Sequence, residues 1–197
     1  FDGTKSTSGG LVRRVGKNLL NIAKNSLTVN GITISRDGDY IVINGTATSD
    51  TRINIIDEFI YGTSAHQIMT LRKIIPLDKA KSYKVGFSDI IGGYTGGYGY
   101  LTFLKADGTT IIQPLLGVNE NISGVSAIYA TYFIFYSGAS FLNYKFKLQL
   151  EEGTTATAYE PYDEQNAYYD GTLRSLPNGT KDEVNITSGE RIQRVSD

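Results

Sequence analysis

Tyr94, Tyr98 and Tyr100 fall within seven residues of one another, in the run Gly92-Gly93-Tyr94-Thr95-Gly96-Gly97-Tyr98-Gly99-Tyr100. A phenol ring offers a flat apolar face and a hydroxyl edge, and the glycines beside it let a ligand approach the backbone. On a strand, Tyr98 and Tyr100 point the same way, about 7 Å apart. Asp89 and Thr102 supply polar edges nearby, and Arg52 and Asn54 supply more from an adjacent strand. A second aromatic set, Tyr129, Tyr132 and Tyr136, lies in the apolar run from 127 to 136. Phe133 and Phe135 share a face with Tyr129 and read as core, which leaves Tyr132 and Tyr136 opposite, lining a concave sheet. Rings for stacking and short polar groups for hydrogen bonds suit a saccharide, with its apolar C–H faces and hydroxyl edges. The competing reading is ordinary sheet packing, in which Tyr is common.

Other chemistries find less. His66 is the one histidine, in Ser64-Ala65-His66-Gln67, and no Gly-x-Ser-x-Gly elbow is present for a serine nucleophile. Asp57, Glu58, Asp89, Glu151 and Glu152 are carboxylates of the kind a glycosidase pairs across a bond. Glu151 and Glu152 are adjacent on a strand and point opposite ways, so they cannot face one another. The glycine run leads into a tyrosine-rich strand rather than a helix N-terminus, which excludes a nucleotide loop. Asp37-Gly38-Asp39 and Asp50 are oxygen donors, but read as turn residues rather than a calcium site. The expectation is a binding protein with no catalytic residues, no metal and no cofactor.

The elements that must position these residues are strands. The chain has 197 residues, 22 Gly, 14 Tyr and only 4 Pro. Alternating runs recur at sandwich-like spacing: 27–34 with an Asn30-Gly31 turn, 40–47 after Asp37-Gly38-Asp39, 51–56, 83–87, 98–105, 109–114, 127–136 and 144–150. Residues 90–97 read as a glycine-rich loop and 115–126 as a connection. Residues 17–27 are the one helix candidate, with Asn18 as its cap. Strands without helix alternation predict an all-β, two-sheet β-sandwich with short extended terminal segments. Lys and Arg number 19 against 20 Asp and Glu, a net charge of -1, so no basic field invites nucleic acid. No apolar run approaches the roughly 20 residues of a membrane span. With no cysteine, redox compartment is unreadable. The sequence starts at Phe1 without a signal peptide and reads as a fragment of a longer protein.

Two motifs frame the central part. Gly16-Lys17-Asn18-Leu19-Leu20 opens it; Gln149-Leu150-Glu151-Glu152-Gly153 through Tyr159-Glu160-Pro161-Tyr162 closes it. Between them lie Asn30-Gly31-Ile32-Thr33 and Tyr40-Ile41-Val42-Ile43-Asn44-Gly45-Thr46-Ala47-Thr48. This pattern, over residues 16–162, resembles the carbohydrate-binding modules of bacteriophage tail and baseplate proteins, including those inserted in evolved distal tail proteins. The resemblance implies a jelly roll and a non-catalytic module in the virion tail that binds host cell-wall polysaccharide during adsorption. It also implies other tail and baseplate proteins as partners, with no role for nucleic acid or membrane. Residues 1–15 and 163–197 are then connecting segments of the host protein. They carry an echo, with residues 10–16 resembling 190–196 and residues 1–4 resembling 169–172, and short strands from the two ends are expected to pair. The alternatives are a structural spacer of the tail, whose tyrosines would be buried, and a wall-polysaccharide depolymerase.

Overall fold

The computed structural model describes residues 6–64, 67, 74–96, 99–174, 183–184 and 191–192, with side chains for the part of these between 16 and 163. His66 and Tyr98 lie outside the described residues. The chain divides into two compact units, Lys17–Tyr162 and Phe1–Gly16 with Asp163–Asp197.

The larger unit is an all-β sandwich of two antiparallel sheets. The first has the order β10(Thr110–Ile112), β9(Gly99–Leu104), β13(Ala130–Phe135), β5(Thr51–Asn54), β6(Ile60–Gly62). The second has the order β11(Glu120–Ser123), β8(Ser82–Thr95), β14(Ser140–Glu152), β4(Tyr40–Thr46), β3(Ile32–Asp37), β2(Leu27–Val29). A short ladder joins β7(Ile75–Pro76) to β12(Ala127–Ile128). Alternation along the strands produces the core. Ile41 and Ile43 of β4, Val85 of β8, and Phe146, Leu148 and Leu150 of β14 face Ile53, Leu101, Phe103, Phe133 and Phe135 of the other sheet. Burying one such side chain contributes about 1.5–3 kcal/mol. The Asn30-Gly31 hairpin forms as the sequence predicts, with φ of 47° and 78°, the left-handed pair that a two-residue turn between twisted strands requires.

Several boundaries differ from the expectation. Sequence order and the turn residues Thr48-Ser49-Asp50 predict that 51–56 is the neighbour of β4, but β5 pairs with β13 and β6, so that turn carries the chain from one sheet to the other. The glycine run is not a loop, because β8 continues through it to Thr95 against β14. It does so by bulging, with positive φ at Asp89, Gly92 and Asn143 and register shifts between Leu142 and Lys147. The connection 115–126 contains β11, paired with the start of β8.

Residues 17–27 form no helix; they run along the sandwich edge. β4 pairs with β14 only as far as Phe146. Beyond that point the opening motif takes its place. Asn18 Nδ2 donates to Leu148 O at 3.2 Å, Asn18 Oδ1 accepts from Leu150 N at 3.2 Å and Leu20 N at 3.0 Å, and Leu19 N donates to Leu150 O at 2.8 Å. The closing motif folds back over β14. Glu151, 1% exposed, accepts from the Thr157 N–H at 2.8 Å and its hydroxyl at 2.6 Å, and Gln149 Oε1 accepts from Glu160 N at 2.7 Å. Lys17 Nζ donates to Ala158 O at 3.2 Å and lies 3.6 Å from Glu151 Oε2. The two motifs, about 130 residues apart in sequence, therefore meet as one clasp that closes the sandwich.

In the smaller unit, β1(Ser6–Val15) pairs antiparallel with β15(Glu164–Arg174), from Val15↔Glu164 to Ser6↔Arg174. Gly16 N donates to Asp163 O at 2.7 Å, which sets the two ends of this pair side by side. The echo at 190–196 is not what β1 pairs with; its β17(Arg191–Ile192) pairs with β16(Glu183–Val184).

Candidate functional site

Six residues that the sequence singles out converge on one surface, the face of the five-stranded sheet turned away from the core. Register places them in rows. Asn54, Tyr132 and Thr102 stand side by side on β5, β13 and β9, and Arg52, Ile134 and Tyr100 form the next row. Tyr136 follows just beyond β13, its ring meeting Tyr100 edge to face at a centroid distance of 5.9 Å. Leu104, Ala130, Tyr132 and Ile134 form a small apolar cluster on this face, with Tyr136 packed against it.

Exposure varies across the face. Tyr132 is 3% exposed and Ile134 6%, whereas Arg52, Tyr100 and Tyr136 are part-exposed. The floor is thus closed to stacking, a correction to the expectation that Tyr132 lines an open sheet. The accessible row is Arg52, Tyr100 and Tyr136.

Three polar atoms of this face lack partners. Arg52 Nε, Asn54 Oδ1 and Thr102 Oγ1 are buried with no hydrogen bond among the described residues. Asn54 keeps only its donor side, from Nδ2 to Ile56 O at 2.9 Å and Glu58 O at 2.8 Å. Burial pushes the Tyr132 hydroxyl above its ordinary pKa, against the opposing pull of the Arg52 charge and of Thr102, whose hydroxyl lies beside it without closing a well-formed bond. A stranded buried polar atom costs about 1–3 kcal/mol, so native proteins keep few of them. Three on one face, beside a cation, concentrate unmet hydrogen-bonding capacity there.

Two predicted residues are elsewhere, both on β8 of the other sheet. Tyr94 is half-buried, stacked on Phe141 at 5.4 Å and edge-on to Tyr144 at 5.4 Å. It borders a groove of about 550 Å³ between Thr46, Ser140 and Leu142. Asp89 forms an ion pair with Lys147 at 2.7 Å. The run read as a loop continues β8 as a strand of the opposite sheet, which separates both from Tyr100 on β9. Tyr129 is not a core residue with Phe133 and Phe135. The strand is interrupted between β12 and β13 at this position, and Tyr129 lines a cleft of about 610 Å³ beside Lys105, Asp107 and Ser126.

Sequence reasoning missed one aromatic group. On the outer face of the six-stranded sheet, Lys147 Nζ lies 5.0 Å from the Tyr40 ring and 5.3 Å from the Tyr159 ring, and Lys145 Nζ lies 5.2 Å from Tyr40. The alternation of Tyr40, Val42 and Asn44 with the core residues Ile41 and Ile43 was the available signal. These cations are neutralised, Lys145 by Asp37 at 3.8 Å and Lys147 by Asp89.

Four of the five candidate carboxylates have local partners: Glu151 is bound by Thr157, Glu152 lies 2.7 Å from Lys81, Asp57 accepts from Asn21 at 2.7 Å, and Asp89 pairs with Lys147. Among the described residues no three His, Cys, Asp or Glu gather as a metal site, and no helix is long and apolar enough to cross a membrane. No family model, curated protein or solved structure matches the chain.

Proposed function

We propose that Lys17–Tyr162 is a non-catalytic carbohydrate-binding module of a phage tail protein, of jelly-roll type, which holds host cell-wall saccharide during adsorption. The observation that carries this reading is the convergence of Arg52, Asn54, Tyr100, Thr102, Tyr132 and Tyr136 on one sheet face with three buried polar atoms unpartnered. A sugar edge would meet the guanidinium of Arg52, while its C–H face would lie against the Tyr100 and Tyr136 rings. The phage assignment rests on the resemblance of the two framing motifs. That they meet as one clasp supports reading them as a single fold signature. One such site is weak; repetition around a multimeric tail would raise avidity by orders of magnitude where geometry permits. The virion tail is accordingly the proposed location, with other tail and baseplate proteins as neighbours.

Burial of Tyr132 and the packing of Tyr94 against the core favour the spacer reading. Labelling of intact Gram-positive host cells by a fluorescent fusion of the full chain separates the two. Labelling abolished by purified wall polysaccharide, and weakened by Tyr100→Ala, is expected of the binder. No labelling of any susceptible strain by the folded fusion would make the spacer the better account.

A further inference from the structure

We infer that the saccharide taken by the five-stranded face carries an anionic group, a carboxylate or a phosphodiester, and that Arg52 receives it. This rests on the reading of that face as a saccharide site. Arg52 stands in the accessible row beside Tyr100 and Tyr136, with Nε buried and unbonded. No carboxylate pairs with it among the described residues, whereas Lys145 and Lys147 on the opposite face both have one. The groups beside it, Asn54 Oδ1 and the Thr102 and Tyr132 hydroxyls, are neutral, and the Arg52 charge is felt at the Tyr132 hydroxyl.

A guanidinium that is half-withdrawn from water with no counter-charge is costly. A sugar hydroxyl would satisfy one of its N–H groups and leave the charge. A carboxylate or phosphate presents two oxygens to its planar fork and compensates both hydrogen bonds and charge. Tyr100 and Tyr136 then bound the sugar ring that bears the group.

Titration calorimetry of the full chain with an oligogalacturonate, its neutral galactose counterpart and a glycerol-phosphate oligomer tests this. The charged oligomers are expected to bind at least tenfold more tightly than the neutral one, with an advantage that shrinks as salt is raised. The tighter of the two identifies the source of the oxyanion. Arg52→Gln is expected to erase the advantage without lowering thermal stability, and Arg52→Lys to keep part of it. Equal binding of charged and neutral oligomers, still weakened by Tyr100→Ala, would overturn the charge assignment and leave the face a saccharide site. No binding of any of the three by folded wild-type chain would overturn both.

Discussion

Asn18→Ala is expected to be among the most destabilising single changes outside the apolar core. The residue is 1% exposed and its side chain makes three hydrogen bonds to backbone, two accepted from Leu20 N and Leu150 N and one donated to Leu148 O. Alanine leaves two N–H groups and one carbonyl buried, at about 1–3 kcal/mol each. The three bonds are 3.0–3.2 Å long, at the weaker end of the usual range, and the edge segment can relax once freed, so a loss of about 3–4 kcal/mol is the reasoned figure. Against a total stability of roughly 5–15 kcal/mol this is a large fraction. Urea unfolding, followed by tyrosine fluorescence and far-UV circular dichroism, reads it directly. With a slope of about 2 kcal/mol/M, the midpoint should fall by about 1.5–2 M. A fall of less than about 0.3 M with an unchanged slope would refute the argument that Asn18 stands in for a neighbouring strand along β14.

The closing half of the clasp should be acid-sensitive. Burial raises the Glu151 carboxyl, but hydrogen bonds from the Thr157 hydroxyl and N–H and from Gln149, with the Lys17 charge, outweigh it and hold the group below its ordinary value. A depressed carboxyl contributes stability that is present above its unfolded pKa and lost as pH falls through the folded one. Melting temperature should therefore drop below the ordinary carboxylate range, and less steeply in Glu151→Gln; parallel curves would contradict the assignment. Gly45→Ala should also destabilise, because Gly45 has φ of 102° and a Cβ there would stand 2.1 Å from Gly31 O. A loss of at least about 2 kcal/mol is expected from thermal melts, and an unchanged melting temperature would show that the strand relaxes freely.

Local pattern was readable where one face of a strand met one environment. Alternation through Tyr144–Leu150 and Tyr40–Thr46 marked β14 and β4, and Asn30-Gly31 marked its hairpin by backbone conformation alone. Sheet membership was not readable, since Thr48-Ser49-Asp50 looks like a hairpin turn but switches sheets. Glycines misled in β8, where Gly92 permits a bulge within a strand. The same error placed Tyr94 and Asp89 beside Tyr100. By contrast, Arg52, Asn54, Tyr132 and Tyr136 share a face because period-two alternation holds on both strands and the register joins them. Residues 17–27 carried a capping Asn18 and apolar Leu19, Leu20, Ile22 and Ala23, but the demand of a free β14 edge for backbone partners decided the conformation of 18–20.

The most direct test of the account is calorimetric binding of the full chain to purified host wall polysaccharide, set beside the double variant Tyr100→Ala/Tyr136→Ala. Saturable binding by wild type, weakened at least about tenfold, or roughly 1.4 kcal/mol, in a variant that melts normally, is what the account predicts. Binding that the double variant retains in full would move the site off the five-stranded face, and no binding by the folded wild type would contradict the saccharide reading itself.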